Sequence, residues 1–338
     1  MINLLFLQNK KNSNMNNFSI QIYEKSEEMP QLLEGNFFHS LALFRIIEQA
    51  PKDTPYMVVI TQDGEVKGQM LVIVHRRGSL IPPYLFTHAH VHGEGFYAPD
   101  VDAAELFPRL LKAVTLRLRH RLCFYIEFSE LQKKMFGYRD LRRLGYCPIA
   151  WQEIHNSLHS MPPEERLGSK RLDIIKKMTH KGVTTHEATS EADVLRFHAL
   201  LRNFYRFKLR RFIPSKEFFL ALAASQEGKL FITTYHNKVI GGCACVYTQG
   251  NAYLWYAAAK RKSHATLHPH TMVIWHAIQY AHAQGCRHFN FMDAGLPWKQ
   301  NQYREFLLTF GGKPITKYRW FRFYPRFINS LLHWIYKE

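Results

Sequence analysis

The sequence predicts an α/β chain with mixed (α+β) sheets, arranged as two tandem domains with helices on both faces of each central sheet. Three observations lead there. One order of elements (helix, β-hairpin, third strand, helix, strand, helix, strand) occurs once in each half. The hairpins can be laid side by side, Asp63-Gly-Glu-Val-Lys-Gly-Gln-Met-Leu71 against His236-Asn-Lys-Val-Ile-Gly-Gly-Cys-Ala244. The last helices of the halves break at matching glycines, Leu144-Gly145-Tyr146 and Phe310-Gly311-Gly312.

In the first half, residues 18–23 alternate as a strand, and 37–47 place Phe38, Leu41, Phe44 and Ile47 on a helical stripe. Strands at 56–61 and 66–75 flank Asp63-Gly64, a strong hairpin signal. A third strand at 80–87 contains Pro82-Pro83, which makes it an edge or a bulge. Residues 103–120 form a helix with Arg109, Lys112, Arg117 and Arg119 outside, followed by a buried strand at 123–128, a short basic helix at 133–143 and a strand near 149–154.

In the second half, 170–181 puts Leu172, Ile175 and Met178 on one face and stops at Gly182. Ser190-Glu-Ala-Asp193 is a capping-box start for a helix lined by Leu195, His198, Leu201 and Tyr205. Pro214-Ser215 opens another helix, ended by Gly228. A hairpin at 229–235 and 238–248 turns at His236-Asn237; a strand at 252–258 and a helix at 271–284, closed by Gly285, follow. The strand at 286–292 runs into Asp293-Ala294-Gly295, with a helix at 303–310 and a strand at 315–323 beyond.

The 338 residues suit two domains of roughly 150 residues each. A hydrophobic content of 46% excludes general disorder. The formal charge of +18 attracts polyanions such as RNA, anionic lipid or phosphorylated substrates, and 19 histidines promise more positive charge in acid. The five cysteines form no C-x-x-C pair and read as core residues of a reducing compartment. No stretch reaches the ~20 apolar residues of a membrane span, and Leu4-Leu5-Phe6-Leu7 is too short for a signal peptide. The expected organisation is a flexible extension at 1–17, domains at 18–160 and 161–324, and a basic, aromatic helix at 325–338. The expected location is cytoplasmic, with residues 317–338 either meeting the inner membrane surface or docking on their own domain.

The element order over residues 18–324 resembles the GNAT acyltransferase fold, and its tandem repetition resembles the FemAB-like branch. The run from Lys170-Arg171 to Gly182 is similar to the basic helix opening that branch's second domain. Arg210-Arg-Phe-Ile-Pro-Ser-Lys-Glu-Phe-Phe219 is similar to its R…P-x-x-F-F segment, and Phe289-Asn-Phe-Met-Asp-Ala-Gly295 with Phe306 and Phe310-Gly311-Gly312 to its D-F-G-G … F-K-x-x-F-G ending. Leu307 stands in place of that motif's lysine, and Phe306 where simpler GNAT enzymes often carry a tyrosine acid.

The resemblance implies transfer of an acyl or aminoacyl group to an amine on a cell-envelope precursor, a lipid or a small molecule. The donor would lie between the strands at 252–258 and 286–292, touching Tyr256 and Phe291. It implies no tightly bound cofactor, with acyl-coenzyme A or aminoacyl-tRNA as co-substrate. Asp293, ending a buried strand beside a glycine, is the first candidate catalytic residue, and also an ordinary turn cap. Tyr303 is the second, and also an ordinary half-buried aromatic.

Lys260, Arg261, Lys262, Ser263 and His264, in the loop before a helix, are candidates for donor phosphates, or else a solvated loop. Their neighbours His268 and His270 lack the partners for a metal site, so none is expected. Arg206, Arg210 and Arg211, interleaved with aromatic residues, are candidate contacts to a phosphate-bearing substrate or a tRNA, or else the outer side of an amphipathic helix whose aromatics face the core; Trp298, Lys299 and Arg304 are further candidates for the substrate. Two other readings stay open: a non-catalytic GNAT-fold protein binding an anionic ligand, and an RNA-binding module.

Overall fold

Residues 18–78, 85–120, 123–131, 136–206, 212–260 and 262–336 are described by the computed structural model. The expected extension at 1–17 and the Pro82-Pro83 bulge lie outside them.

The strands are β1 (Phe18–Tyr23), β2 (Asp53–Gln62), β3 (Glu65–Gly78), β4 (Leu85–His92), β5 (Phe96–Tyr97), β6 (Cys123–Ser129), β7 (Cys147–Ser157), β8 (Thr184–Glu187), β9 (Gly228–Tyr235), β10 (Lys238–Thr248), β11 (Asn251–Ala259), β12 (His288–Gly295) and β13 (Lys313–Phe323). The helices are α1 (Leu41–Glu48), α2 (Ala103–His120), α3 (Tyr138–Arg143), α4 (Pro163–Arg166), α5 (Ser169–His180), α6 (Glu191–Tyr205), α7 (Lys216–Ala224), α8 (Pro269–Ala283), α9 (Gln302–Leu308) and α10 (Arg326–Ile335).

All of these strands belong to one mixed sheet, in the order β1-β2-β3-β4-β6-β13-β7-β12-β11-β10-β9-β8, with β5 paired to β3. The halves are built alike: an antiparallel run β1 to β4 and then parallel β6, against an antiparallel run β8 to β11 and then parallel β12. They exchange their closing strands. β13, from the end of the chain, lies against β6, while β7 lies against β12. Each half therefore completes the other's sheet, and β13 pairs with β7 along the seam from Lys313↔His155 to Phe321↔Cys147.

The core follows from two-sided strands. Met57 and Val59 of β2 face α1, α6 and α7 in a core that crosses the seam through Phe44, Phe197, Phe219 and Tyr253. Val58 and Ile60, one residue out of phase, pack against α2 on the other face. The second half buries Ile175, Val273, Phe291 and Leu307 beneath α5, α8 and α9.

Three expectations change. Ser40 accepts the amide of Leu43, so the helix expected over 37–47 divides into a 3-10 turn (Phe37–His39) and a capped α1. The strand expected at 80–87 runs on to His92 as β4. β8, with its alternating half-exposed residues, has no counterpart in the expected order.

Candidate functional site

β11 and β12 pair in parallel only from Asn251↔His288 to Leu254↔Phe291, yet they continue to Ala259 and Gly295. Two irregularities part them. Against β10, the register of β11 skips Trp255; against β7, that of β12 skips Met292 to Ala294. A bulge bends its strand and sharpens the twist, so the two strands diverge. Their counterparts β4 and β6 stay paired from Thr87↔Cys123 to His92↔Ser129, and only the second half opens in this way.

Tyr256 lies in this stretch, 9% exposed, with its ring 5.4 Å from Phe219. The Tyr205 hydroxyl donates to the Ala257 carbonyl at 3.3 Å. The Phe291 side chain is buried against Phe289, at 5.1 Å, and packs the core.

Beyond β11, Lys260, Lys262 and Ser263 are exposed, and Ser263 Oγ sits 2.8 Å from His264 Nδ1. Arg261 lies outside the described residues. Lys260 lines a groove of about 800 Å3 together with His186, Asp193, Arg196 and Lys238. The loop ends on His268, whose φ of +46° turns the chain into α8, with Pro269 suited to the first helical position. Arg171 ties the start of α8 to the end of α9, donating to Thr271 Oγ1 at 2.9 Å and Thr309 Oγ1 at 2.6 Å. Tyr303 belongs to a neighbouring stack, 5.6 Å from the ring of His270, which is itself 5.2 Å from Phe306. Leu307 is fully buried, where a lysine would face the core.

Asp293 lies elsewhere, on the seam. Alternate residues of five strands share one face there: His88, His90 and His92 of β4, Glu127 and Ser129 of β6, Lys317 and Arg319 of β13, Trp151, Glu153 and His155 of β7, and Asp293 of β12. Arg319, opposite Ser129, reaches diagonally to Glu127 Oε1 at 3.2 Å and donates to the Met292 carbonyl at 3.1 Å. Its guanidinium lies 4.1 Å over the Trp151 ring and 3.9 Å from Asp293 Oδ1, which accepts the Trp151 indole N–H at 3.0 Å. Ser129 bridges His90 Nε2 (2.8 Å) and Glu127 (3.1 Å). Lys317 pairs with Glu153 at 2.8 Å and donates to the Leu131 carbonyl at 2.6 Å.

Side-chain exposure is lowest at Lys317 (2%) and Glu153 (8%), intermediate at Arg319 (19%) and His90 (23%) and highest at Asp293 (36%), so the strip is most open to solvent at Asp293. Phe38 and Trp255 pack against His92, at 4.9 and 5.5 Å. Burial, and then His39 and Arg319, pushes the His92 imidazole down to about 3. Burial likewise lowers His39 to about 4, and holds His90 well below the ordinary histidine range with help from His92 and Arg319. These three histidines are neutral at pH 7 and add no cationic charge in mild acid.

The turn after Asp293 is braced from within. Gly295 takes φ +85°, and Asn301 donates to the Ala294 carbonyl at 3.0 Å while its Oδ1 caps α9 through the Tyr303 and Arg304 amides. Arg304 donates to the carbonyls of Leu296 (2.9 Å) and Lys299 (3.0 Å), so its guanidinium holds the loop together. Trp298 and Lys299 are exposed on that loop, and Arg206 is exposed at the end of α6. Arg210 and Arg211 lie outside the described residues; Phe212, just past them, reaches the first half and stacks 4.2 Å from His75. Among the described residues no group of three or more His, Cys, Asp or Glu side chains is placed to hold a metal ion.

Sequence reasoning missed Trp151, Glu153, Lys317 and Arg319, and with them Arg196 and Lys238 of the groove. The signal was present: Thr-His-Ala-His-Val-His (87–92), Trp-Gln-Glu-Ile-His (151–155) and Lys-Tyr-Arg (317–319) alternate polar with other residues at a strand's period.

Residues 171–300 match the acetyltransferase (GNAT) domain family. No curated protein matches the chain. Solved structures similar to it include FemX (TM-score 0.61, 11% identity, covering 90% of this chain and 95% of that one). L-PGS from Bacillus licheniformis is similar at TM-score 0.57 and 13% identity, over 87% and 93% of the two chains. The tandem GNAT protein of the clavulanic acid biosynthesis pathway is similar at 0.55 and 11%, over 90% and 98%. The second half matches the GNAT domain family over residues 171–300, and over both halves the chain shares the fold of FemX and of that tandem GNAT protein.

Proposed function

We propose that the protein transfers an acyl or aminoacyl group, from a thioester or an aminoacyl-tRNA, to an amine. The observation that carries this is the divergence of β11 and β12 beyond Leu254 and Phe291, next to a charged strip on the adjoining strands. In this reading the donor carbonyl enters the opening. Backbone N–H groups of β11 that are not paired to β12 stabilise the oxyanion. Lys260, with Arg196 and Lys238, holds the donor's phosphates.

The acceptor amine enters at the solvent-open end of the strip, where Asp293 holds its ammonium and aligns it with the carbonyl. The Trp151 indole and the Arg319 guanidinium keep that carboxylate in place. The ammonium releases one proton to the solvent that reaches Asp293, and the amine nitrogen attacks the carbonyl carbon. The C–N bond forms, the C–S or C–O bond to the carrier breaks, and the second proton lost by the nitrogen goes to the departing thiol or tRNA hydroxyl. Tyr303 has the supporting task of packing the start of α8. The acceptor would be an amine on a cell-envelope precursor, a lipid or a small molecule, with anionic groups suited to the chain's +18 charge.

The test is a thermal-shift screen against acyl-coenzyme A and aminoacyl-tRNA, followed by transfer assays with the donor that binds. Asp293→Asn should lower transfer about 100-fold while leaving the donor-induced shift unchanged. Absence of a shift with either donor, or full transfer by Asp293→Asn, would overturn the proposal.

A further inference from the structure

The C-terminal helix α10 is docked the unusual way round. Its polar side faces the protein: Asn329 accepts the Phe323 amide at 2.9 Å and donates to the Gly145 carbonyl at 3.1 Å, and His333 Nε2 lies 3.3 Å from that same oxygen. Its apolar side faces out. Phe327, Leu331, Trp334 and Ile335, at helical spacing, are 75, 52, 67 and 56% exposed, and no residue of the helix is fully buried. The indole of Trp298, 60% exposed, extends the patch through its contact with Tyr336 at 6.2 Å. Five of the eight exposed large hydrophobic residues among those described thus lie together. Single exposed apolar residues need no explanation; a contiguous patch does.

Charge decides among occupants. Exposed Arg326 begins the helix, exposed Lys299 adjoins Trp298, and Arg143 is exposed two residues before the Gly145 turn. A second copy of this chain would bring a charge of +18 against +18. An anionic surface is attracted by the same field, and a ten-residue helix with tryptophan and phenylalanine on one side lies in a headgroup layer without needing to span it.

We infer that α10 and Trp298 form a docking surface for an anionic lipid bilayer. Because Trp298 sits on the loop leaving Asp293, the bilayer would border the open end of the charged strip. The docking stands on the helix geometry and does not depend on the acyl-transfer reading.

The test uses the full chain with sedimenting vesicles of phosphatidylcholine, alone and with a third of phosphatidylglycerol. Wild type should sediment with the anionic vesicles, less so as salt rises, and not with the neutral ones. Leu331→Glu combined with Trp334→Glu should reduce binding at least ~10-fold, since each apolar side chain returned to water costs that order. Leu116→Glu, an exposed apolar position on α2, should bind as wild type does. The inference is overturned by a wild type that stays in the supernatant, by equal binding to both vesicle types, or by a double variant that still sediments. It is equally overturned by a chain that is dimeric without vesicles and that the double variant makes monomeric.

Discussion

The Lys317–Glu153 pair offers the sharpest test of how the halves are joined. Both side chains are almost sealed from water, at 2% and 8% exposure, with Nζ 2.8 Å from Oε2. At an effective dielectric of about 20, Coulomb attraction at that distance is about 6 kcal/mol. Desolvating two ions costs several kcal/mol each, so the pair as a whole contributes little net stability. Removing one partner is different. Lys317→Met leaves Glu153 with His155 (3.1 Å) as its remaining hydrogen-bond partner among the contacts described, and Glu153→Gln takes from the buried ammonium its contact carboxylate, leaving the Leu131 carbonyl, an amide and the more distant Glu94 and Glu130. Each single variant should lose about 3–5 kcal/mol, whereas the double variant, in which only the nearby buried Glu94 and Glu130 carboxyls still feel the loss of Lys317, should recover most of that loss.

Urea unfolding followed by tryptophan fluorescence reads this directly. With a slope of roughly 3 kcal/mol per molar, a single substitution should lower the midpoint by 1 M or more. Because β13 sits between β6 and β7, the loss should shift one transition common to both halves. Single substitutions costing under about 1 kcal/mol, or a double variant as unstable as the sum of the singles, would refute the reasoning.

Two further outcomes follow from the same geometry. His39 and His92 are held neutral to about 4 and about 3, so the unfolded chain takes up protons below about pH 6.5 when the folded chain does not. Their stabilisation is complete above that pH and is lost as pH falls towards 4, on the order of 3 kcal/mol for each. Melting temperature measured from pH 7 to 4 should therefore fall more steeply for wild type than for His92→Asn, and parallel curves would contradict the assignment. Gly295→Ala should cost about 1–3 kcal/mol, because φ is +85° and a Cβ would stand 2.6 Å from Asn301 Nδ2. If Asn301→Ala removes the same stability and the double variant loses no more than either single, the glycine acts through that cap; full additivity in chemical denaturation would show that it does not.

Much of the local architecture could be read from residues alone, because its causes are local. Asp63-Gly64 and His236-Asn237 take the positive φ values of tight hairpins. Ser190 caps α6, and Gly311 ends α9 at φ +84°. The repeated element order followed from such punctuation. Asp293 drew notice for its place at the end of a strand, and the structure sets it in a cluster of charged groups that the sequence did not bring to mind. β4 shows why. The expected strand stops at Thr87, short of His88, His90 and His92, yet these belong to β4 inside the sheet, and His90 is satisfied by Ser129 from another element.

Periodicity, turn chemistry and capping act within a few residues, and at that range helices, hairpins, the two-fold repetition and the charge of +18 follow from the residues alone. Which strands meet depends on contacts far apart in the chain. β7 and β13 have patterns compatible with either half, and only long-range pairing exchanges them. That exchange sets Lys317 beside Glu153 and Arg319 beside Glu127 and Asp293. A buried charge is tolerable only next to its partner, and here the partners come from residues as far as 192 positions apart.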